Sequence, residues 1–60
     1  MDYPFVIETR TGGYRVTSEA DLHRLAREHT KLSPGYIASA TPQEILRVLV
    51  KALDGITSPP

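Results

Sequence analysis

The side chains able to do chemistry are few in this chain, and their spacing gathers none of them into a reacting group. His23 and His29 are six residues apart, which separates them by about 120° on a helix, so they do not face one ligand. Glu19 and His23 share a helical face at i, i+4 and could hold a metal ion weakly. A stable site needs two or more further ligands, and no other donor is spaced to supply them. The chain has no cysteine, which removes thiolate nucleophiles, thiolate metal centres and disulfides together. Ser18, Ser33, Ser39 and Ser58 lack the glycine-flanked elbow that exposes a catalytic serine. Gly12-Gly13 is too short for a phosphate-cradling loop, and strand-forming residues follow it where such a loop would open a helix. A general base would also need an orienting neighbour and a pocket, for which a small monomer has little room. The sequence therefore implies no enzymatic activity, no cofactor, no metal centre and no small-molecule substrate.

The elements that would carry these residues are legible. Tyr3 to Thr9 has strand character around Phe5, Val6 and Ile7, with Pro4 suited to the start of an edge strand. Arg10-Thr11-Gly12-Gly13 reads as a tight turn in which glycine supplies positive φ, Gly13 among them, and Tyr14 to Thr17 as the returning strand. Alternation puts Phe5, Ile7, Tyr14 and Val16 on one inner face. Ser18 caps a first helix whose early carboxylates suit the helix dipole. Leu22, Leu25, Ala26 and His29 follow the i, i+3, i+4, i+7 rule along one face. In the last turn, His29 is placed to bond free carbonyls. Ser33-Pro34-Gly35 signals a turn, and Tyr36-Ile37-Ala38 is expected to press onto the core as a loop in preference to a short third strand.

A second helix, over residues 42–54, has both ends written into it. Thr41 is the N-cap, Glu44 completes a capping box, Pro42 stands at the first helical position, and Gly55 is the expected left-handed terminator. Glu44, Arg47, Lys51 and Asp54 form a polar stripe about 80° wide, while the apolar residues from Ile45 to Leu53 fill an arc of about 200°. A helix on a small core typically needs an apolar stripe of only about 100° or more. Leu46, Leu49 and Leu53 are expected to meet the core, leaving Ile45, Val48 and Ala52 as a protein-binding strip.

Length sharpens that excess. The chain has 60 residues, and a domain of this size hides only about 60% of its unfolded surface, so its core is marginal without help. With disulfides and metals excluded, association with another chain is the aid that remains. Seven basic and seven acidic residues balance, which argues against an electrostatic grip on nucleic acid or anionic lipid. No apolar run is long enough to span a membrane, and no signal peptide opens the chain, so the default location is cytoplasmic.

These readings predict a small α+β domain over residues 3–55, a hairpin followed by two helices on one face, with residues 56–60 as a disordered tail. They point to a small protein-binding regulator or adaptor that associates through its second helix, as a homodimer or with a protein partner. The alternative is a nucleic-acid-binding dimer using Arg10 and Arg15, or the line Arg24, Arg27 and Lys31. Glu19, Asp21 and Glu28 offset that line within the same segment.

Overall fold

The computed structural model describes residues 3–58. The elements are β1 (Phe5–Thr9), β2 (Gly12–Val16), α1 (Glu19–His29), α2 (Pro34–Ser39), α3 (Pro42–Leu53) and β3 (Ile56–Ser58), an α+β order. The sheet runs β2-β1-β3, and both outer strands lie antiparallel to β1. Phe5 pairs with Val16 and Ile7 with Tyr14, so the expected inner face forms as the alternation requires. Phe5, Ile7 and Val16 are buried there against Leu22, Leu25 and Ala26 of α1, Ile37 of α2, and Ile45 and Leu49 of α3. Val6, Glu8 and Arg15 alternate onto the opposite face of the sheet.

The hairpin turn is tighter than expected. Thr9 pairs with Gly12, so only Arg10 and Thr11 lie outside the ladder. Gly12 carries the positive φ, at 140°, while Gly13 sits in regular strand opposite Glu8. The Thr9 hydroxyl donates to the Gly12 carbonyl at 2.7 Å and accepts from the Thr11 N–H at 3.3 Å. That local bonding lets a threonine organise a turn expected to rest on two glycines.

Ser18 accepts from the Asp21 N–H at 3.3 Å, starting α1 as expected. At the other end, Thr30 gives its N–H to the Ala26 carbonyl at 3.0 Å, and its hydroxyl bonds the same oxygen. His29, expected to serve that end of the helix, packs edge-on against Tyr14, with ring centroids 5.2 Å apart and planes at 67°.

Residues 34–39 form a helix, neither the loop expected for Tyr36-Ile37-Ala38 nor the third strand. Ser33 accepts from the Tyr36 N–H at 3.2 Å and Pro34 occupies the first turn. The Ser-Pro pair is thus a helix start, the same grammar as Thr41-Pro42 before α3. One turn of helix is enough to drive Ile37 into the core, where it is 3% exposed, and to leave Tyr36 outside.

Residues 56–58 are likewise a strand, where a disordered tail was expected. Ile56, Thr57 and Ser58 pair with Glu8, Ile7 and Val6. The reversal that makes this possible is at Asp54, which holds the left-handed conformation (φ 54°, ψ 46°) assigned beforehand to Gly55. Its N–H reaches the Lys51 carbonyl at 3.2 Å, and the Gly55 N–H reaches that of Val50 at 3.0 Å. This double closure turns the chain back along β1, whose second edge would otherwise present unpaired backbone groups. The folded unit thus runs past residue 55. The remainder of the expected tail, Pro59 and Pro60, lies outside the described residues.

Candidate functional site

Helix α3 is held at its start by Thr41, whose hydroxyl accepts from the Glu44 N–H at 3.3 Å and donates to the Glu44 carboxylate at 3.0 Å. From that fixed start its wide apolar arc divides differently from the sequence expectation. Ile45 and Leu49, one helical turn apart, are both 0% exposed and form the stripe that enters the core, with α3 packed along α1. Ile45 is therefore a core residue and not part of a binding strip. Val48 is half-buried and Ala52 exposed. Leu46 and Leu53, expected at the centre of the contact, lie at its margin with Val50, partly exposed. The stripe that enters the core is the one turned toward α1, the helix along which α3 packs.

Between α3 and β3 runs an open groove of about 280 Å³, lined by Gln43, Leu46, Arg47, Val50 and Thr57. Thr57 reaches it because it pairs with Ile7 and so alternates onto the helix-covered side of the sheet. Leu46 and Val50 supply the apolar wall, at i and i+4 on one helical flank. Sequence reasoning missed this site for one reason: its second wall is a strand that reads as a tail. The signal available was the Asp54-Gly55 pair, a chain-reversal dipeptide followed by β-branched Ile56 and Thr57.

A second groove, of about 330 Å³, lies between α1 and α2 and is lined by Ala20, His23, Arg27, Pro34, Ile37 and Ala38. His23 Nε2 is buried without a hydrogen-bond partner among the described residues, and the Glu19 carboxylate stands 3.7 Å from it. That acidic neighbour opposes an anion in the groove. Among the described residues no three metal-binding side chains cluster, and Glu19 and His23 remain a pair. Two titratable groups are tuned by their surroundings. Burial, and then the Glu19 carboxylate, pushes the Tyr3 phenol above its ordinary 10.0. The Thr17 hydroxyl and N–H bonded to Asp21, with Arg24 nearby, hold the Asp21 carboxyl below its ordinary 3.8.

The five basic residues named for nucleic acid do not merge into one surface. Arg15 alternates onto the open face of the sheet, Arg10 is in the hairpin turn, and Arg24, Arg27 and Lys31 belong to α1 and its exit on the covered side. Arg24 is also engaged with Asp21, at 3.5 Å. A duplex needs cations arrayed along one face, and the fold divides these between two. No helix of the described residues is long and apolar enough to cross a membrane. Comparison with family models, with curated proteins and with solved structures finds no match.

Proposed function

We propose that the protein is a small, non-enzymatic protein-binding regulator or adaptor that works in the cytoplasm and engages its partner through α3. The observation that carries this reading is the partly exposed flank of Leu46, Val50 and Leu53 beside the groove closed by Thr57. Apolar side chains clustered at a concavity and rimmed by polar ones mark association surfaces. The core contributes a second reason, since the nine buried apolar residues among those described make a small core for a chain without disulfides.

A photo-crosslinking amino acid placed at Val50 tests this directly in the cells that make the protein. It should trap a protein, whereas the same group at Lys31, on the exposed exit of α1, should not. If neither position yields a crosslinked species, α3 is not an interaction surface and this reading is wrong.

A further inference from the structure

We propose that the occupant of the α3 groove is a second copy of this chain, packed with its α3 antiparallel about a two-fold axis beside Val50. The inference rests on the reading of α3 as an interaction surface and names its partner.

The argument is the placement of charge around the apolar flank. Arg47 and Asp54 are both exposed and neither has an ion-pair partner among the described residues. They are seven residues apart, so they stand on nearly one line of the helix, about 10 Å from each other along its axis. Val50 and Lys51 fall between them, about 50° to either side of that line, so the apolar flank borders the charged line on the Val50 side. A line with a cation at one end and an anion at the other, bordered by an apolar flank, is complementary to itself when reversed. A two-fold axis between Val50 and Lys51 brings Arg47 opposite the partner's Asp54, and Asp54 opposite the partner's Arg47. Such an isologous contact makes each pair twice.

The apolar residues fit the same register. Leu53 of each copy comes opposite position 48 of the other, over the wall formed by Leu46 and Val50. Each groove is thereby filled by a leucine that is only partly buried within its own chain. Lys51 lies about 100° around the helix from Val50 and keeps its ammonium in water. The opposite helical direction would set Arg47 against the partner's Arg47 and Asp54 against the partner's Asp54, so charge selects the antiparallel arrangement.

The test is sedimentation equilibrium over a concentration series, with a melting curve for each variant to show that it folds. The wild-type chain should reach the dimer mass as concentration rises. Arg47→Asp and Asp54→Arg should each weaken self-association by about tenfold or more, because each places like charges opposite one another twice. An equimolar mixture of the two single variants should recover the dimer mass as a heterodimer, since both of its pairs are then opposite in sign. The double variant should recover it as a homodimer. If Asp54→Arg fails to fold, Asp54→Asn retains a residue that tolerates left-handed backbone and should still weaken association severalfold. A wild-type chain that stays monomeric, a mixture no tighter than its components, or an undisturbed Asp54→Asn dimer overturns the proposal. Failure here is distinguishable from failure of the broader reading. A crosslink from position 50 to a different protein, with a monomeric wild type, sinks the homodimer and leaves α3 as an interaction surface.

Discussion

Gly55 passes so close to the Glu8 carbonyl oxygen that a Cβ built on it would stand 2.6 Å away, and 3.1 Å from Ile7 Cγ2. The glycine is therefore a requirement of proximity, and the left-handed turn beside it belongs to Asp54. Only a bare backbone can leave α3 and join the edge of β1 at this point. Gly55→Ala should destabilise the fold by about 1–3 kcal/mol, because the atom it meets is backbone that cannot swing aside. Urea denaturation gives the stability, and amide exchange of residues 56–58 should rise with it. A variant as stable as the parent would mean that β3 is not seated as described.

The hairpin offers a cleaner conformational test. A Cβ on Gly12 would meet nothing within 4 Å, yet its φ of 140° is one that residues with side chains rarely adopt. Gly12→Val should cost about 1 kcal/mol or more through backbone strain alone. Gly13→Val addresses packing instead, since its Cβ would stand 3.1 Å from Val6 Cγ1. Thermal melts of the two variants separate strain at position 12 from crowding at position 13.

Truncation along α3 should follow the observed stripe. Leu49→Ala removes a fully buried side chain and should cost about 2–5 kcal/mol. Ala52→Glu, at an exposed position, should leave monomer stability within about 0.5 kcal/mol. Comparable losses at both positions would place the stripe elsewhere on the helix.

Asp21 sets an acid dependence. Its carboxyl is held below the ordinary 3.8 by the Thr17 hydroxyl and N–H, so on acidification the unfolded chain takes up this proton first. The contribution is present in full above that ordinary value and is lost as pH falls through the lowered one. Asp21→Ala should therefore melt below the parent at pH 6, and the gap should close toward pH 2. A gap that persists unchanged in acid would assign the loss to something other than the carboxylate.

Where local chemistry decides structure, the sequence was sufficient. Ser18 and Thr41 start helices because their hydroxyls satisfy backbone N–H groups three residues on, and that bonding needs no distant partner. The alternation of Phe5 with Ile7 and of Tyr14 with Val16 named the inner face of the hairpin for the same reason, since side chains on a strand change sides at every residue. Ser33-Pro34 carried the helix signal as plainly as Thr41-Pro42, but a helix of six residues shows too little periodicity to be recognised.

The tertiary structure decided the rest. Ile56, Thr57 and Ser58 have no strand to join until the left-handed Asp54 and the bare Gly55 set them beside β1, and short-range propensity does not encode that edge. Packing along α1 in turn settled the rotation of α3. An apolar arc of about 200° offers several stripes of equal merit, and only the position of α1 and of the shared core selects Ile45 and Leu49 for burial. The sequence determined that α3 has more apolar surface than a core this small requires. Which side chains carry the excess, Leu46, Val50 and Leu53 beside Thr57, depended on where a strand far from β1 in the chain came to lie against it.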